Sequence, residues 1–164
     1  MRKELEQKFV SDLEENQNIV HKICRLYTNN QDAHNDLFQE ISIQLWRAYP
    51  KFRGDSKFST WMYRVALNTA ITLYRKSKRV IKTQDFESVS FKIEATDYDD
   101  TEEEQLKLLY KAVHHLSDIE KALVFLYLED KNYKEIALTM GITEVNARVK
   151  MNRVKNKLRK ILNP

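Results

Sequence analysis

Trp61, Arg64, Asn68 and Arg75 recur at helical spacing in the run FSTWMYRVALNTAITLYR, directly after the polar turn Arg53-Gly54-Asp55-Ser56-Lys57. That spacing puts a flat ring, two cations and an amide on one helix face. An unpaired nucleic-acid strand needs this mix: a ring stacks on a base, a guanidinium holds a phosphate, an amide reads a base edge. Any one of these residues alone reads as ordinary surface. The set, with the turn before it, favours a partner.

A second set of chemistry-bearing residues closes the chain. Arg148, Lys150, Arg153, Lys155, Lys157, Arg159 and Lys160 load one helix-period segment. Its inward face reads Ala147, Met151, Val154 and Leu158, and opposite lie Arg148, Val149, Asn152 and, at the edge, Arg153. Just before it, Tyr133, Ile136, Ala137 and Met140 make a shorter helix that ends at Gly141. A short helix, a turn through glycine and a longer basic helix predict a helix-turn-helix that binds double-stranded DNA. Arg148 suits a guanine, since a guanidinium can bind O6 and N7 together. Lys150, Lys155 and Lys157 suit phosphates, which position without specifying sequence.

Other chemistries find little support. There is no nucleophile–base pair, no phosphate-binding glycine loop and no pair of carboxylates in an apolar setting, so catalysis, a cofactor and a metal are not expected. The adjacent His114 and His115 point to different helix faces, and Cys24 lies in the other half of the chain. Arg53-Gly54-Asp55 spells a cell-adhesion tripeptide, but the amphipathic start MRKELEQKF lacks the apolar core of a secretion signal. No apolar stretch approaches the ~20 residues of a membrane span. A cytoplasmic protein is the expectation.

The elements that must position these residues follow from periodicity. The 164-residue chain has only two glycines and two prolines, and both glycines separate helix-period runs. An all-α fold of two small helical domains is predicted. Leu5, Phe9, Leu13, Ile19, Val20, Ile23, Leu26 and Tyr27 give one or two helices. Leu37, Ile41, Leu45 and Tyr49 give another, stopped by Pro50. Phe58, Met62, Val65 and Thr69 are the expected inward face of the next. Residues 80–104 show no sustained period and read as a linker with an acidic run from Asp97 to Glu104. Beyond it, Leu106, Leu109, Val113 and Leu116 form one helix, and Ile119, Leu123 and Leu126 another, with Ser117 and Thr143 as N-caps. The expected divisions are 1–79, 80–104 and 105–164.

Charge supports the same division. The net charge is only +4. Yet Lys76, Lys78, Arg79 and Lys82 close the first half, and the C-terminal helix is basic. Two basic blocks around an acidic spacer point to a polyanionic partner. On the third predicted helix Asp36, Gln39 and Glu40 form an acidic outward face, ordinarily just solvated.

The run DLFQE, followed by FRGDSKFSTWMYRVALN, resembles region 2 of the extracytoplasmic-function (ECF) sigma factors of bacterial RNA polymerase. The segment YKEIALTMGITEVNARVKMNRVKNKLRK resembles their region 4. The likeness covers the chain outside the middle linker. It implies a sigma factor of the sigma-70 family, responding to an envelope or environmental signal. Arg53, Ser56, Lys57, Phe58, Trp61, Arg64, Asn68 and Arg75 would then bind and melt the promoter −10 element. Asn68 and the turn would line a pocket for a flipped base. Arg148, Val149, Lys150, Asn152 and Arg153 would read the −35 element in the major groove. Asp36, Gln39 and Glu40 would dock on the clamp coiled coil of the polymerase largest subunit. Promoter DNA, core RNA polymerase and an anti-sigma factor are the implied partners. The family often carries an acidic or amide residue where Thr72 stands, and Leu-Pro where Leu116-Ser117 stands. The first departure bears on sequence preference; the second leaves the cap intact. Two rival readings fit the same residues: a helix-turn-helix regulator that is no polymerase subunit, and a helical adaptor that binds only protein.

Overall fold

The computed structural model describes residues 1–84 and 104–164, with side chains to residue 79 in the first stretch. Most of the expected linker, with its acidic run up to Glu103, lies outside the described residues. Among those described there are seven α-helices and no strand. The chain divides into two compact units, Met1–Leu73 and Tyr74–Pro164.

The first unit starts with a single helix, α1, over Arg2–Tyr27, which buries Phe9, Val20, Ile23, Cys24, Leu26 and Tyr27. Helix α2 runs over Gln31–Ala48 and buries His34, Leu37, Ile41 and Leu45. Its N-cap is Asn30, whose side chain accepts a hydrogen bond from the Ala33 amide at 2.8 Å. Pro50 cannot donate into a continuing helix, and the chain leaves α2 through a 3-10 turn, Tyr49–Lys51. Tyr49 ties this turn to α1: its hydroxyl donates to the Asp12 carboxylate at 2.8 Å, and its ring meets Phe9 at 5.1 Å.

Helix α3 spans Phe58–Gln84. Its buried stripe is Met62, Tyr63, Ala66, Leu67, Ala70 and Ile71. Val65 and Thr69, expected inside, are only half-buried. Counting from Phe58 follows the edge of the stripe; its centre contains alanines, which allow close approach but carry a weak apolar signal. The helix also continues past Arg79, where the sequence suggested a linker. The segment KSKRVIKTQ contains no glycine or proline, and its lysines, arginine and glutamine are good helix formers.

The second unit holds α4 (Glu104–His114), α5 (Asp118–Leu128), α6 (Tyr133–Met140) and α7 (Glu144–Leu162). The expected caps form: Ser117 accepts from the Glu120 amide, and Thr143 from the Asn146 amide. Asn132 and Glu135 close a reciprocal capping box at the start of α6. Gly141 ends α6 with φ +68°, a left-handed conformation that costs glycine nothing. Asp130 adopts φ 59° after α5, where a side chain is strained. Helix α7 packs on α4, α5 and α6 through Ala147, Met151 and Val154. Leu158 is only half-buried. Truncating Met151, 2% exposed, to alanine would cost about 2–5 kcal/mol.

Candidate nucleic-acid interface

In the first unit the site grows from a cluster of rings. Tyr49, Phe52, Phe58 and Trp61 meet across the bend between α2 and α3, Phe52 and Trp61 with centroids 5.1 Å apart, Phe58 and Trp61 5.5 Å apart. Pro50 and Gly54 make the bend: the proline turns the chain out of α2, and Gly54 takes φ +78°. Tyr49 is the buried floor, and burial first, then the Asp12 carboxylate, pushes its phenol up to about 12. It stays neutral and keeps its hydrogen bond throughout the physiological range.

A hollow of about 220 Å³ opens beside these rings, lined by Lys51, Phe52, Arg53, Asp55, Ser56 and Trp61. It is smaller than the ~300–1,000 Å³ that small-molecule pockets occupy. One flat ring is a better match than the ligand of a sensor domain. Its walls offer ring faces, a carboxylate and a hydroxyl for base edges, and two cations for the adjoining backbone. Trp61 is half-buried: one side packs in the cluster and the rest is exposed.

Asn68 and Lys57 do not line the hollow. The reason for Asn68 is distance along the helix: seven residues beyond Trp61 amount to about 10 Å of axial rise. Arg64 and Asn68 stand exposed further along α3 and can follow a strand leaving the hollow. Thr72, also exposed, turns its hydroxyl back to the Asn68 carbonyl at 2.7 Å. Arg75 belongs to the second unit, where it pairs with the Asp118 carboxylate. It is thus not gathered with the other three. Lys51 and Phe52 escaped sequence reasoning, although the aromatic spacing around Pro50 and Gly54 was a usable signal. On α2, Asp36 and Gln39 are exposed, while Glu40 is half-buried and accepts from the Gln44 amide at 3.0 Å.

In the second unit α6 and α7 form the expected helix-turn-helix. Arg148, Val149, Asn152 and Arg153 are exposed and Lys150 is half-buried. Arg148 is held on two sides. The Glu144 carboxylate, one turn back, accepts from its Nη2 at 3.0 Å, and the Tyr133 ring lies 4.8 Å from its Cζ. Lys155 sits over the Tyr127 ring at 4.2 Å, and a hydrogen bond with the Tyr127 hydroxyl raises its pKa. Lys157 faces α5 and pairs with Glu120 at 3.1 Å, which lessens its fitness as a phosphate contact. Among the described residues no group of three or more His, Cys, Asp or Glu could hold a metal ion, and no helix is long and apolar enough to cross a membrane.

Residues 13–80 match the family model of Sigma-70 region 2, and residues 106–158 that of Sigma-70, region 4. An ECF RNA polymerase sigma-E factor of Haemophilus influenzae is 28% identical over 159 residues, covering 90% of this chain and 84% of that one. An ECF RNA polymerase sigma-E factor of Escherichia coli K12 is 32% identical over 134 residues, covering 73% of this chain and 70% of that one. Among solved structures, the sigma factor RpoE of Bartonella quintana, crystallised with the anti-sigma factor NepR, is similar with TM-score 0.71 at 20% identity, covering 98% of this chain and 97% of that one. CnrH in complex with the cytosolic domain of CnrY follows with TM-score 0.66 at 16% identity, covering 96% of this chain and 89% of that one. At these identities the two structures bear on the fold.

Proposed function

This chain belongs to the ECF sigma factors of the sigma-70 family and is an RNA polymerase sigma factor; from that premise we propose how its two units divide promoter recognition. The first unit captures an unstacked base of the −10 element in the hollow beside Phe52 and Trp61, which Lys51, Arg53, Asp55 and Ser56 also line. Trp61 supplies a stacking face, worth roughly 1–3 kcal/mol per base. Arg53, Ser56 and Asp55 meet the base edge or its sugar. Lys57, Arg64 and Asn68 guide the displaced strand.

The second unit reads the −35 element as duplex. Arg148 addresses a guanine, Val149, Asn152 and Arg153 flank it in the major groove, and Lys150 meets the backbone. Asp36, Gln39 and Glu40 dock on the clamp coiled coil of core polymerase. That acidic face carries the opposite sign to the DNA-facing side chains, so the two partners do not compete. An anti-sigma factor completes the set of partners, as in the complex of the sigma factor RpoE with the anti-sigma factor NepR. The role is that of a regulator in the cytoplasm, with the chemistry of RNA synthesis left to the core enzyme. Residues 1–79 and 105–164 are the proposed functional divisions.

The observation that carries this reading is the ring-walled hollow at the head of α3, sized for one base. Its test is transcription in vitro with core polymerase on a library of random promoters. Two enriched elements, with opening that depends on Trp61, are expected. Specific duplex binding by the chain alone, with no stimulation of core enzyme, would point instead to a self-sufficient repressor or activator.

A further inference from the structure

Base reading by an arginine demands orientation. The guanidinium must present two N–H donors in the plane of the guanine edge, at the end of a long and rotatable side chain. On an exposed helix surface such a side chain samples many rotamers, and the wrong ones reach phosphates instead. Arg148 is exposed, yet it is held on both sides: by Glu144 on its own helix at 3.0 Å, and by the Tyr133 ring, 4.8 Å from Cζ. The two restraints differ in kind. Glu144 stands four residues before Arg148 and takes up Nη2, an exposed contact that solvent weakens. Tyr133 comes from α6, whose first turn is fixed by the Asn132–Glu135 capping box. Tyr133 is half-buried, so its ring is seated on the fold while one face meets the guanidinium.

We propose that Tyr133 is a positioning residue for promoter reading: its ring holds the Arg148 guanidinium in the pose that meets a guanine, and so sets selectivity at one base pair. This rests on the assignment of Arg148 as a base reader. Because an arginine has five N–H donors, the one that Glu144 engages leaves others for the base. The alternative is that Tyr133 only packs α6 on α7. In that case its loss would weaken every promoter alike.

The test uses holoenzyme reconstituted with Tyr133→Leu, Tyr133→Phe, Arg148→Ala and the Tyr133→Leu/Arg148→Ala pair. Binding is measured on promoters varied one base pair at a time through the upstream element, after thermal melting has confirmed that each chain folds. Arg148→Ala should lose roughly tenfold or more of its preference at one position. Tyr133→Leu should lose part of the preference at that same position. Tyr133→Phe should keep it, because the ring remains. The pair should lose no more than Arg148→Ala alone. If Arg148→Ala weakens all promoters equally, the reading of Arg148 falls, and the inference with it. If Arg148→Ala is selective but Tyr133→Leu is uniform, or its loss adds in full, the inference alone is overturned.

Discussion

The two units handle charge in opposite ways. In the first unit, Arg53 at the hollow and Lys57 and Arg64 away from it all stand exposed, while the rings already touch one another. On the reading helix of the second unit, Arg148 pairs with Glu144, Lys157 with Glu120, and Lys155 lies on Tyr127. The contrast matches the two states of DNA proposed as their targets. A single strand is flexible and its bases must be caught, so shape is prepared in advance and the cations stay adaptable. A duplex presents a fixed edge, so the cation that reads it, Arg148, is itself held in place.

Charge reversal at Asp36 and Glu40 is the strongest way to break this division, since it asks whether the first unit also carries docking. Like charges facing a basic coiled coil cost several kcal/mol, so core polymerase binding should fall by a hundredfold or more. Fluorescence anisotropy with core enzyme measures it, and an undiminished affinity would move the docking surface elsewhere.

Next in size is Trp61→Ala. Losing one stacking face should slow open-complex formation roughly 10- to 100-fold. Trp61 also belongs to the ring cluster, so some stability goes with it; Trp61→Phe, which keeps a ring, separates the two effects. A template with a pre-melted bubble should relieve the defect, whereas it should do nothing for Arg148→Ala. Relief of both variants would erase the contrast.

A smaller effect is expected from pH. His21 on α1 and His34 on α2 share a hydrogen bond at 2.9 Å, and the His21 ring stacks on Phe38 at 4.4 Å. Burial lowers both pKa values, and His21 and Arg25 lower that of His34 further. The unfolded chain therefore binds more protons below about pH 6.5. Stability of the first unit is complete above that value and declines as pH falls through it. Urea melts of the whole chain at pH 7.5 and 5.5 should show this decline, and His34→Gln should flatten it. An unchanged slope in the variant would assign the pH effect to other groups.

The smallest expected change is in the second unit. Asp130→Gly relieves a left-handed backbone worth about 1–2 kcal/mol, offset by roughly 0.5–1 kcal/mol of extra glycine chain entropy, and should stabilise that unit by about 0.5–1 kcal/mol, seen as a higher melting temperature. A drop would mean that the Asp130 side chain contributes more than the strain costs.

Much of this was legible in the residues. Caps at Ser117 and Thr143, the glycine stop at Gly141 and the inward Ala147, Met151 and Val154 followed from local rules, because each acts within one or two helical turns. What escaped depends on distance through space. The stripe through Ala66 and Ala70 has little apolar weight, so periodicity alone drew the face of α3 off-centre. Asn68 shares a helical face with Trp61, yet a face is not a pocket, and axial rise keeps it out of the hollow. Arg75 shows the limit most sharply, since its partner Asp118 lies 43 positions away and no local pattern pairs them. Tyr133 read as a core residue of a short helix, and only the fold reveals the arginine beside it.

Cys24, the sole cysteine, is fully enclosed among the α1 core residues, and burial pushes its thiol up to about 12. In the closed unit it is protonated and out of reach, so a thiol reagent must wait for the surrounding helices to part. Its labelling rate is therefore a clock for opening of the first unit alone, in the native chain and without an engineered cysteine. Run in the presence of polymerase, promoter or both, that clock would tell which encounter tightens these helices and which loosens them.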